Sequence, residues 1–116
     1  MFGWLKNKVN KNAGRDAVEM ALSLPLGEKA VFISVLNQGV ELINSQIPSG
    51  LFAKSCPATR ALALDFSLAA NSARGDNALA HWAALQLLAV ALNGDNDAAR
   101  EARQDIMFAL EAADLR

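Results

Sequence analysis

At 116 residues the chain supports one domain, and a domain of this size buries roughly two-thirds of the surface exposed by its unfolded form, so its core needs no covalent or metal staple. Cys56 is the only cysteine, which excludes an intramolecular disulfide and a thiolate-rich metal site and fits a reducing cytoplasm. The net charge of −1 joins two unlike parts: residues 1–15 carry Lys6, Lys8, Lys11 and Arg15 with no acid, whereas the rest carries seven bases against twelve acids. Such a body is a poor match for a phosphate backbone, so nucleic acid is not the expected partner.

Apolar residues make up 53% of the chain, much of it alanine, which favours helix and lets helices approach closely. Tyr is absent and Pro occurs three times, against the aromatic, turn-punctuated composition of a sandwich or barrel. The expected fold is all-α: a compact bundle of five to six helices, with a basic leader at residues 1–14 and a single helical domain at 15–116.

The leader mixes Phe2, Trp4 and Leu5 with Lys6, Lys8 and Lys11. The lysines and Asn10 interrupt any apolar stretch of the kind a secretory signal needs. As a helix it would place Phe2, Leu5 and Val9 on one face and Trp4 opposite, beside Lys8 and Lys11. That is poor segregation for a membrane-surface helix. Trp4, Lys6, Lys8 and Lys11 are nonetheless candidate binding residues, for an acidic partner groove or a membrane surface; alternatively Phe2, Trp4 and Leu5 fold back to anchor on the body.

A short helix is expected from Arg15 to Leu24, with Val18, Met20, Ala21 and Leu22 as its apolar set, stopped by Pro25, which disfavours helix at the residue before it. Gly27 to Gln46 is the cleanest periodic segment. At about 100° per residue, Val31, Phe32, Ile33, Val35, Leu36, Val40, Leu42, Ile43 and Ile47 fill one broad arc. Ser34, Asn37, Gln38, Glu41, Asn44 and Ser45 fill the other. An amide-rich outer face is less strongly hydrated than one of Lys and Glu, so Asn37, Gln38, Glu41 and Asn44 form a candidate contact surface. Residues 47–50 end this helix, and the apolar loop 51–56 is expected to plug the core.

Pro57 suits the first position of a helix, where its missing N–H costs nothing, with Ser55 or Cys56 as cap. The helix is expected to run to Arg74 and to be polar on two edges, one with Arg60, Ser67, Asn71 and Arg74 and one about 140° away with Asp65 and Ser72. Gly75-Asp76-Asn77 and Gly94-Asp95-Asn96 repeat one tripeptide. Each reads as a helix stop at Gly joined to a helix start at Asp or Asn. Between them, Ala78–Leu92 has only His81 and Gln86 as polar side chains and no charge. Apolar on every face, it is the body of a helix, expected at 77–93, that others must surround; at about 22 Å it is short for a membrane span. The last helix, 97–114, is charged at Arg100, Glu101, Gln104, Asp105 and Glu111 and apolar at Ala102, Ile106, Ala109, Leu110 and Ala113. Short connections make 57–114 an antiparallel up-down-up unit.

No phosphate loop, paired metal-binding histidines, calcium loop or nucleophile elbow occurs. The acidic turns lack the ligand spacing of a calcium site. No catalytic residue, metal ligand or cofactor is assigned. Asp65 and His81 are the one pair that adjacent helices would bring together, as the organisers of a small-ligand pocket or active site. The expected function is that of a small non-enzymatic interaction module, an adaptor, regulator or assembly subunit with a protein partner, a homodimer included. Two alternatives stand beside it: the Asp65–His81 pocket, and peripheral membrane attachment through residues 1–12. Chain ends contribute little to most domains, so deletion of residues 1–12 should leave a helical, cooperatively melting protein by circular dichroism. A large fall in the melting midpoint would make the leader part of the core.

Overall fold

A computed structural model describes residue 15 and residues 17–47 and 56–114. The leader candidates Trp4, Lys6, Lys8 and Lys11, and most of the expected core-plugging loop, lie outside the described residues. The described chain is all-α: α1 over residues 17–22, α2 at Leu26–Gln46, α3 at Pro57–Asn71, α4 at Ala78–Ala91 and α5 at Asp97–Asp114. Connections at 72–77 and 92–96 fold α4 back along α3 and α5 back along α4, while α2 packs on α4 from another side. The uncharged helix is thus enclosed. Ala80, Ala83, Ala84, Leu87, Leu88, Ala89 and Ala91 are all buried in it.

Alanine and glycine set how closely the helices approach. Gly39, in the interior of α2, is buried, and a Cβ built there would overlap Cδ1 of Leu88 and stand 3.1 Å from its Cδ2. Glycine inside a helix costs roughly 0.5–1 kcal/mol relative to alanine. Here that loss is offset by the seat it makes for a fully buried leucine. Leu88 shares one core cluster with Leu36, Ile43, Ile47, Leu87, Leu92 and Ile106, the other large side chains with almost no exposure.

The elements begin and end for local reasons. The Pro25 carbonyl accepts from the N–H groups of Glu28 and Lys29 at 3.0 and 2.9 Å, opening α2, and Glu28 places a negative charge in its first turn. Its end comes where the Ile47 N–H bonds to Ile43 O at 2.9 Å, one residue before Pro48. Pro57 occupies the start of α3 as expected, but Cys56 closes no side-chain cap.

The twin tripeptides do different work. Gly75 and Gly94 both have positive φ, 83° and 97°, yet neither directly follows its helix. Each helix ends earlier in a tight turn, with the Ser72 N–H shared between Leu68 O and Ala69 O and the Asn93 N–H donated to Val90 O. For that reason α3 stops at Asn71 rather than Arg74, and α4 covers Ala78–Ala91 rather than 77–93. Asn77 is itself left-handed, at φ 64°, and makes no side-chain cap; its tolerance for that conformation serves the turn instead. Asn96 does cap, its Oδ1 accepting from the Ala99 N–H at 2.8 Å.

Two expected apolar sets are corrected. In α1 the buried residues are Ala17 and Ala21, with Leu24 beyond its end, while Leu22 is exposed. In α2 the buried side chains Phe32, Leu36, Ile43 and Ile47 cluster about Gly39, and Leu42 stands about 100° from their centre, where it is 41% exposed.

Gly39→Ala is expected to destabilise by about 1–3 kcal/mol through overpacking, and Leu88→Ala by about 2–5 kcal/mol through the cavity it leaves. In the double variant the new methyl enters that cavity, so its loss should fall below the sum of the two. Chemical denaturation checks this, and simple additivity would mean that the two residues do not share one space.

Candidate functional site

The sequence-predicted candidates occupy separate places. Asn37, Gln38, Glu41 and Asn44 all lie exposed on the outer side of α2, where Gln38 Nε2 donates to Ser34 Oγ at 3.3 Å and Leu42 adds an apolar group. Asp65 on α3 and His81 on α4 are both exposed, and neither a hydrogen bond nor an ion pair joins them. The geometry therefore does not assemble a dyad from them.

Cys56, partly exposed at the start of α3, has its thiol pKa lowered by the backbone N–H groups of Thr59 and Ala58, more than burial raises it, with a smaller contribution from the Arg60 charge. This is the effect of a helix N-terminus on a neighbouring thiolate. Among the described residues no three of His, Cys, Asp and Glu converge on a metal position.

The strongest polar network joins α4 to α5. Arg103 Nη1 donates to Ala91 O at 3.0 Å and to Gly94 O at 3.2 Å, and its Nη2 reaches Asp95 Oδ1 at 3.3 Å. A guanidinium fixed on the last carbonyl of a helix and on the turn beyond it satisfies an acceptor at the helix end and complements the helix dipole. Arg100 completes the turn, donating to Asp95 O at 2.9 Å and pairing with Asp97. On the other side of α5, Arg15, two residues before α1, pairs with Glu101 at 2.7 Å. Asp105 sits beside this pair, half-buried. Its pKa is raised, first by burial and then by the Glu101 carboxylate, against the attraction of Arg15. These contacts hold the bundle together and present no reactive group.

What remains is the outer side of α3. Leu64 is 59% and Leu68 56% exposed, and Ala61 and Pro57 are exposed on the same side. Thr59, Leu62, Phe66 and Ala70 occupy the opposite, buried side. The two polar edges visible in the sequence thus divide two apolar arcs, a wide one facing α4 and a narrow one facing outward. No family model, characterised protein or solved structure matches the chain.

Because the folded state favours protonated Asp105, its ionisation weakens the fold as pH rises through the raised pKa. Asp105→Asn should therefore melt higher than the parent at pH 7, with the advantage shrinking toward pH 3, where both states hold the proton. Thermal melts at the two pH values test this; an equal offset at both would assign the effect to packing.

Proposed function

We propose that the chain is a small helical protein–protein interaction module, serving as an adaptor, regulator or assembly subunit rather than as an enzyme. The observation that carries this reading is the exposed stripe Ala61, Leu64 and Leu68 on α3. Single exposed leucines are ordinary on protein surfaces. Apolar residues one turn apart, on a helix face that packs on nothing in the described chain, have the pattern by which helices recognise helices. The amide-rich outer side of α2, with Leu42 among its polar residues, supplies a second surface of low charge.

A cytoplasmic setting is part of the proposal, supported by the free thiol of Cys56. Among the described residues no helix is long and apolar enough to cross a membrane. Neither Leu64 nor Leu68 belongs to the core, so a Leu64→Ser, Leu68→Ser double variant should fold with an unchanged midpoint. It should lose the protein contacts that the tagged parent chain makes, read by quantitative co-purification of defined partners and by self-association. Binding that survives the double variant but is lost with Asn37→Arg and Asn44→Arg would move the surface to α2. Insensitivity to both pairs would overturn the proposal.

A further inference from the structure

The exposed side of α3 also carries the signature of its partner. Pro57, Ala61, Leu64 and Leu68 are spaced four, three and four apart, the alternation of a two-helix seam. The helix has only two charged residues, Arg60 and Asp65. They flank the seam at about 70° on either side. Both are exposed, and among the described residues neither has an ion pair or side-chain hydrogen bond.

We propose that α3 pairs in parallel, about a two-fold axis, with α3 of a second copy of this chain. The inference rests on the interaction reading above and names its partner. In a parallel pair of helices the residue just before one seam position faces the residue five further along on the partner, on the opposite flank. Arg60 and Asp65 stand in that relation. The symmetric pair would hence form two ion pairs, Arg60 to the other copy's Asp65 and the reverse. An antiparallel pair would set like flanks against each other, arginine toward arginine and aspartate toward aspartate. Charge therefore selects both the partner and its direction.

The exposed apolar groups of α5 and of the outer side of α2 lack this complementarity. Met107 and Phe108 lie on α5, where Arg100 on the same side is already engaged by Asp95 and Asp97 and self-pairing would bring the carboxylates of Glu101 and Glu111 together. The outer side of α2 has Glu41 as its only charge in the candidate surface.

One 15-residue helix offers a small interface, so association is expected at roughly 10–100 μM. Sedimentation equilibrium of the full chain from about 5 to 500 μM should show monomer converting to dimer. Arg60→Asp alone and Asp65→Arg alone should each weaken the dimer about fivefold or more by setting like charges opposite one another. The doubly exchanged chain, and an equimolar mixture of the two single variants, should recover parent affinity to within about threefold. Circular dichroism confirms that every variant is folded. A monomer across the whole range overturns the inference, as does a dimer indifferent to both reversals, one that fails to recover in the mixture, or one abolished instead by Phe108→Ser. A monomeric chain that binds a different protein through Leu64 and Leu68 overturns self-pairing while leaving the interaction reading intact; a monomer with no binding that depends on those leucines removes both.

Discussion

The enclosure of α4 is the constraint on which the rest of the structure depends. A helix with no charged side chain is unfavourable in water on any face, so its neighbours must be arranged around it rather than beside it. Gly39 of α2 and Leu88 of α4 make that enclosure close. The glycine removes the one methyl that would hold α2 away, and the leucine fills the space with branched carbon in contact on all sides. Because buried interiors are packed at crystal-like density, such a contact fixes the separation of the two helices and thereby the seats of Leu36, Ile43 and Leu87 nearby.

Once α4 is covered, each surrounding helix is left with one face spent and one free. The free faces differ in chemistry because the polar residues differ in their duties. On α5 they are largely committed: Arg103 closes the end of α4, Arg100 closes the turn, and Glu101 holds Arg15. These exposed pairs contribute modestly as isolated charges, but together they set the angle at which α5 leaves the turn. On α2 the free face is amide-rich and almost uncharged. On α3 it is apolar, with two charges that form no ion pair among the described residues.

The fold was largely legible from the sequence because its signals are local and mutually consistent. The charge-free stretch between two glycine turns identified α4, and the 3.6-residue period of 27–46 identified α2 with most of its buried residues. Helix ends were less legible. Whether Gly75 terminates a helix or serves a turn three residues later depends on how α3 and α4 dock, and local propensity does not carry that information. Leu22 and Leu42 were assigned inward by hydrophobicity alone. Whether a neighbour covers the edge of a helix is a tertiary fact. Asp65 and His81 were similarly placed on adjacent helices, yet adjacency of helices does not make their facing edges meet. The sequence does carry a signal for the outer surface in the second apolar arc of α3: two polar edges imply two arcs between them, and only one can face a core.

That second arc separates what folding requires from what it leaves over. At positions 64 and 68 alanine, lysine or glutamate would support the helix as well as leucine does, and the solvated alternatives would not expose apolar surface to water. The core gains nothing from either side chain, since Leu62 and Phe66 already fill the inward arc. The same holds for charge. Among the described residues Arg60 and Asp65 make no ion pair, and each stands where an alanine would serve α3 equally well. The fold accounts for Gly39, Leu88, Arg103 and Asn96 residue by residue. It does not account for Leu64, Leu68, Arg60 and Asp65, which lie together on one side of one helix, and a physical reason for all four arises only when a second helix is laid against them.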